Sequence, residues 1–251
     1  MLLRLKKLQG LPIDASDGEI GTIRDVYFDD RQWAARYMAV ETGIRLGSRT
    51  VLISTMSVQS VDWMRNRVQV GLTRKQIAAS PPFDTGKPLS RQHERQLFDH
   101  YGYPYYWAGP FLWGAGSHPF IPAPPLAPSA SGPGQDADVP GAPQLRKAQE
   151  VRGYRIETPD DSVGQIEDFL VDDENWEIRY LVVDTRNWLP GRRVVIPPKW
   201  ITGVDWMQRV VNVDVSPRTV QASPEYQPAQ DFSRTHEANL YRHYGRPGYW
   251  Q

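Results

Sequence analysis

The sequence repeats itself. Residues 1–107 align without a gap on residues 144–250 at a constant offset of 143, and about 38 of the 107 positions are identical. Self-similarity of that length dictates a chain built from two versions of one module. The identities cluster. Gly21-Thr-Ile-Arg-Asp25 falls on Gly164-Gln-Ile-Glu-Asp168, and Asp29-Asp30 with Trp33 falls on Asp172-Asp173 with Trp176. Arg36-Tyr37 falls on Arg179-Tyr180, and Val61-Asp-Trp-Met64 on Val204-Asp-Trp-Met207. Both copies finish alike, with His93-Glu94, Tyr101-Gly102, Pro104 and Trp107 matching His236-Glu237, Tyr244-Gly245, Pro247 and Trp250.

Three segments follow from the repeat: a module over 1–107, a linker over 108–143 and a second module over 144–251. The linker holds nine of the Pro and six of the Gly residues, a composition too poor in apolar surface to offset the entropy of ordering. Its start, Phe111-Leu-Trp113, is unusually apolar and is expected to dock onto a module.

Within each module, short β-branched stretches alternate with turn residues. In the first copy Leu3–Leu8, Glu19–Phe28, Arg36–Thr42, Thr50–Ile53, Val58–Trp63 and Arg67–Leu72 read as six strands. Tyr180-Leu-Val-Val183 is apolar on both strand faces, as in a wall covered from outside. Six such strands in about 70 residues suit a small antiparallel barrel, which needs no protected edges. A helical tail follows each barrel, with Ser90 or Ser233 as N-cap and Leu97, Phe98 and Tyr101, or Leu240, Tyr241 and Tyr244, on one face. The expected fold is therefore mainly β: two six-stranded antiparallel barrels, each with a short aromatic helical tail packed on a barrel, its own or its partner copy's.

These residues carry a resemblance. Gly-x-Ile-x-Asp, then Asp-Asp, Trp, Arg-Tyr-Leu-Val-Val-Asp-Thr and Val-Val-Ile-Pro, is similar to the PRC-barrel family, most clearly over residues 146–215. The first copy departs from it at Leu52-Ile-Ser-Thr-Met56, where Ser54 stands in place of the proline seen as Pro197. The family takes in the cytoplasmic domain of the photosynthetic reaction-centre H subunit and the C-terminal domain of a ribosome-maturation factor. The resemblance implies a soluble, six-stranded, non-catalytic binding module. It does not carry over a particular partner.

Catalysis needs a nucleophile, an acid or base within reach and a way to stabilise charge. The sequence assembles no such set. His93 and His100 stand two helical turns apart, as do His236 and His243, which separates each pair by about 10 Å along the axis, beyond the reach of one zinc. Asp25, Asp29 and Asp30, with Asp168, Asp172 and Asp173, read as strand-end turn residues in preference to a weak cation site. Asp14-Ala-Ser-Asp-Gly18 lacks the spacing of a calcium loop. Gly43-Ile-Arg-Leu-Gly47 lacks the Lys-Ser/Thr of a phosphate loop, and its counterpart Arg186-Asn-Trp-Leu-Pro190 has no glycine. No enzyme activity, cofactor or metal is expected.

The aromatic residues say more. Nine Trp and twelve Tyr exceed what two small cores usually hold, and Trp, Tyr and Arg concentrate at interaction hot spots. The candidate packing and contact residues are Trp33, Arg36, Tyr37, Trp63, Tyr101 and Trp107 in the first copy, and Trp176, Arg179, Tyr180, Trp206, Tyr244 and Trp250 in the second. The net charge is zero, so the basic footprint of a nonspecific nucleic-acid binder is missing. By count, residues 1–107 carry +4 and residues 144–251 carry −2, a difference that favours pairing of the copies within the chain or across a homodimer. No run approaches the roughly 18 apolar residues of a membrane span. The N-terminus has no apolar h-region, and the chain has no cysteine, which fits a reducing, cytoplasmic setting. The expected function is a protein–protein adaptor. The alternatives are an accessory of photosynthetic or electron-transfer membrane complexes, or an RNA or ribosome-maturation factor.

Overall fold

The computed structural model describes residues 1–43, 47–84, 86–121, 144–185 and 192–251. The counterpart loop at 186–190, residues 44–46 of its first-copy partner and the linker from 122 to 143 lie outside the described residues. The chain divides into two compact units that do not follow the repeat boundary. One contains Lys7–Lys147 and Glu174–Glu177, and the other Met1–Lys6, Ala148–Asp173 and Ile178–Gln251. We refer to them as the first-repeat and second-repeat units.

The first repeat supplies β1 (Leu2–Arg4), α1 (Leu5–Leu8), β2 (Pro12–Ala15), β3 (Gly18–Asp29), β4 (Ala34–Thr42), β5 (Thr50–Ser54), β6 (Val58–Asp62), β7 (Arg67–Val70), α2 (Arg74–Ala78) and α3 (Arg91–Tyr101). The second supplies β8 (Leu145–Lys147), α4 (Ala148–Val151), β9 (Arg155–Glu157), β10 (Ser162–Asp172), β11 (Ile178–Asp184), β12 (Arg193–Ile196), β13 (Ile201–Asp205), β14 (Val210–Val213), α5 (Pro217–Gln221) and α6 (Arg234–His243). The sheet of the first-repeat unit runs β5-β4-β3-β2-β7-β6, and that of the second-repeat unit runs β12-β11-β10-β9-β14-β13. The two orders are the same order shifted by one repeat.

Each sheet has a seventh strand taken from the other repeat. β1 pairs with β10, Leu2 opposite Asp172 and Arg4 opposite Leu170. β8 pairs with β3, Leu145 opposite Asp29 and Lys147 opposite Tyr27. The registers are equivalent, so the opening strands of the two repeats are exchanged.

The sheets correct the expected barrels in two respects. They are seven-stranded and mixed, because β2 pairs parallel with β7 and β9 parallel with β14. The described pairings also leave β5 and β6 as the two ends of an open order, although only the 3-10 turn Thr55–Ser57 separates them in the chain. Strand β2 escapes sequence reading because it is four residues long and opens on Pro12. The expected strand Leu3–Leu8 turns helical after Arg4: one turn puts Leu5 and Leu8 on one face, and both are fully buried.

The repeated Gly-x-Ile-x-Asp pattern has a structural cause. A Cβ on Gly21 would lie 2.0 Å from the Glu41 carbonyl oxygen, and one on Gly164 would lie 2.3 Å from that of Asp184. Only glycine lets β3 approach β4, or β10 approach β11, this closely. Ile23 and Ile166 point into the cores. Register then shifts before Asp25 and Asp168, as at a β-bulge. The bulged carboxylates accept from the next backbone N–H, Val26 at 2.8 Å and Phe169 at 2.9 Å.

Each helical tail packs on its own repeat. Glu94, Leu97, Phe98 and Tyr101 are the buried residues of α3, and Phe98 meets Tyr37 of β4 edge-on, with ring centroids 6.2 Å apart. Ser90 caps α3 as its sequence predicts, accepting from His93 N, and Gly102 ends the helix in the left-handed region.

Candidate functional site

The aspartates flagged by the sequence are held by arginines and backbone. Asp29 Oδ1 accepts from Arg31 N and Gln32 N, while Asp29 Oδ2 accepts from Arg36 Nε at 2.9 Å and Nη2 at 2.6 Å. Asp172 Oδ2 takes Arg179 in the same way, at 3.2 and 3.0 Å. The exchanged strands bring further cations. Arg4 Nε reaches Asp168 at 2.8 Å, Arg146 reaches Asp30 at 3.0 Å, and the N-terminal ammonium meets Asp173. The turn reading of these acids accounts for the backbone bonds; the arginine pairing is a tertiary feature that strand-end composition does not reveal.

Beside Arg36 and Arg179 lies a second duplicated cluster. Tyr37 and Tyr106 both donate to Glu94 Oε1, at 2.9 and 2.7 Å, and Arg91 holds Glu94 Oε2 at 2.7 Å. Tyr180 and Tyr249 both donate to Glu237 Oε1 at 2.8 Å, with Arg234 on Oε2 at 2.9 Å. Burial pushes the Glu94 carboxyl above its ordinary range against the opposing pull of Arg91 and the two phenols. Burial likewise raises Tyr37, Tyr106, Tyr180 and Tyr249. A carboxylate sharing one oxygen between two phenols has no exposed face for a substrate, and the arrangement ties strand to tail. Sequence reading found Tyr37 and Tyr180 but missed Glu94 and Glu237, whose signal was only the repeated His-Glu pair.

The histidines also serve the fold. His100 Nε2 donates to Gln76 O and His243 Nε2 to Thr219 O, both at 2.8 Å, fixing α3 to α2 and α6 to α5. His236 Nδ1 closes the capping box of α6 with Ser233, and His93 lies against the Phe83 ring at 5.8 Å, where burial lowers its pKa. A polar pocket of about 320 Å³ in the second-repeat unit is lined by Asp160, Asp214, Ser216, Thr219, Tyr244 and Arg246 among others. Its Ser216 caps α5 and its Arg246 holds Asp214.

The candidate aromatics divide by exposure. Trp33, Tyr37, Tyr101, Trp176 and Tyr180 are buried, as is Arg36. Trp33 and Trp176 occupy the left-handed region, φ 54° and 61°, at the end of equivalent turns, and Trp33 stacks on Phe28. Trp63, Trp107, Arg179, Trp206, Tyr244 and Trp250 remain partly exposed. Trp63 and Trp206 open the turns of the hairpins β6–β7 and β13–β14. At the tips of those hairpins are Met64 and Met207, 96% and 95% exposed. The backbone beneath them is fixed: Asp62 Oδ1 accepts from Met64 N and Arg65 N at 3.0 and 2.9 Å, and Asp205 Oδ1 accepts from Met207 N and Gln208 N at the same distances. Sequence reading noted the Val-Asp-Trp-Met repeat without seeing that methionine is the residue presented.

The linker's start is docked, as its apolar composition predicts. Trp113 is buried, its indole N–H donates to Asn175 O at 2.7 Å, and Leu112 O accepts from Arg36 Nη1 at 2.7 Å.

A duplicated seven-stranded mixed sheet with a helical tail, and polar clusters that tie its own elements together, define the class: a mainly β protein built of two equivalent modules. In the second repeat, residues 144–220 match the family model of the PRC-barrel domain. No curated protein matches the chain.

Proposed function

We propose that the chain is a non-catalytic protein–protein adaptor of two PRC-barrel modules, the first repeat taking the same fold as the matched second. The shared strand order and the equivalent strand exchange support the tandem reading. The observation that carries the adaptor reading is the pair of methionine-tipped hairpins. An almost fully exposed methionine contributes nothing to a core, whereas a polarizable, unbranched side chain on a fixed turn fits a pocket in a partner. Two copies of one contact give avidity towards a repeated or dimeric partner.

Membrane complexes enter this reading only as protein partners: among the described residues no helix is long and apolar enough to cross a membrane. The cysteine-free composition supports a reducing, cytoplasmic setting. The test is affinity purification of the full chain from its native cells, with mass spectrometry, beside a Met64→Glu/Met207→Glu double variant. Proteins retained by the native chain and lost from the variant support the reading. Retention of RNA or ribosomal particles, or identical protein sets on both baits, overturns it.

A further inference from the structure

The sulfur of this chain is all thioether: there are five methionines and no cysteine. The fold sorts them. Met38, in the middle of β4, is 0% exposed, and Met56, in the 3-10 turn after β5, is 5% exposed. Met64 and Met207 are 96% and 95% exposed. These two are equivalent positions of the repeat, each the second residue of the turns 63–66 and 206–209. Both turns hold their shape by the same means. The aspartate before the turn accepts from the methionine N–H, and the turn ends on a residue in the left-handed region, Asn66 at φ 53° and Arg209 at φ 57°. Each repeat therefore presents one thioether sulfur to solvent on a fixed backbone and keeps its core sulfurs covered.

We infer that Met64 and Met207 are sites of reversible oxidation by peroxides, and that conversion of the two thioethers to sulfoxides releases the docked partner. This inference rests on the adaptor reading and adds a control to the same hairpins. The step is a two-electron oxygen transfer. A sulfur lone pair attacks one peroxide oxygen, and the S–O bond forms as the O–O bond breaks. The departing oxygen takes up the proton of the attacked one and leaves as water, or as an alcohol from an organic hydroperoxide. Sulfur is oxidised and peroxide reduced. A thiol-dependent reductase reverses the change, its dithiol becoming a disulfide as the oxygen leaves as water. With no cysteine in the chain, no thiolate of its own competes for the oxidant. The product carries a strong dipole and a hydrogen-bond acceptor where an apolar, polarizable group had been, and an apolar pocket in a partner does not satisfy it. Because both repeats present the same group, oxidation removes both contacts and with them the avidity of the pair. The fold survives, since the sulfurs that pack in it, Met38 and Met56, are buried.

The test treats the full native chain with graded hydrogen peroxide, removes the excess with catalase, and follows each methionine by peptide mass spectrometry and the fold by circular dichroism. The oxidised chain then serves as bait beside the untreated chain and Met64→Glu/Met207→Glu. Sulfoxide should form at Met64 and Met207 at least about tenfold faster than at Met38 and Met56, with the circular dichroism unchanged. The oxidised bait should lose the proteins that the glutamate variant loses, and regain them once methionine sulfoxide reductase and a dithiol have restored the native mass. Similar rates at the exposed and buried methionines overturn the inference, as does unfolding in step with oxidation of the hairpins. A loss of capture that follows oxidation of Met1, which is 60% exposed, also overturns it. If both hairpins are fully oxidised and capture is unchanged, while the glutamate variant still loses those proteins, the switch falls and the adaptor reading stands. If the glutamate variant loses nothing, the adaptor reading and the switch fall together.

Discussion

Tyr37 Oη donates a 2.9 Å hydrogen bond to Glu94 Oε1, joining β4 to α3 through a buried carboxylate. The same bond joins Tyr180 to Glu237 in the other repeat. Strand and tail are far apart in sequence, so this contact makes the aromatic tail part of the module's core instead of an appendage.

Removing the phenol hydroxyl should therefore cost stability. Tyr37→Phe leaves Glu94 short of one donor in a buried site, and the expected loss is about 1–3 kcal/mol. Chemical denaturation monitored by tryptophan fluorescence measures it; a change below about 0.5 kcal/mol would show that the bond is solvent-compensated.

The raised pKa of Glu94 has a pH signature. In the folded chain the carboxyl holds its proton more tightly than in the unfolded chain, so its contribution is fully present below the unfolded pKa and is lost as pH rises through the folded pKa. Native stability minus that of Glu94→Gln should fall as pH is raised from the ordinary carboxylate range towards neutrality. The difference is what matters, because His93, with its lowered pKa, acts in the opposite direction near its own titration. A pH-independent difference would refute the assignment.

Strand exchange predicts the behaviour of a half-chain. A fragment of residues 144–251 lacks β1, leaving the β10 edge without its partner while β8 is present to fill it in a second molecule. Leu145 corresponds to Leu2, so the register with Asp172 is preserved. The fragment should form a dimer in analytical ultracentrifugation, with β8 exchanged. A folded monomer with native-like circular dichroism would count against this.

Gly21→Ala and Gly164→Ala place a Cβ within 2.0 and 2.3 Å of a carbonyl oxygen on the neighbouring strand. Each should destabilise its own unit by about 3 kcal/mol, read as a lowered denaturation midpoint. Met64→Ser and Met207→Ser, by contrast, should change stability by less than about 0.5 kcal/mol, since neither methionine is buried.

Much of the molecule was legible from the residues. The ungapped repeat dictated two equivalent modules, turn-bounded β-branched runs located most strands, and Ser90 with Gly102 bounded the tail helix, because local propensity and capping act over a few residues. The apolar Phe111-Leu-Trp113 announced its own docking. What the sequence could not express is which strand lies beside which. The exchange of β1 and β8, the parallel pairs β2–β7 and β9–β14, the arginines that meet Asp29, Asp168 and Asp172, and the covering of Arg36 by Trp113 all join residues distant in the chain. Those pairings are decided by which edges and charges remain to be satisfied once the sheets form, and only the tertiary structure contains that information.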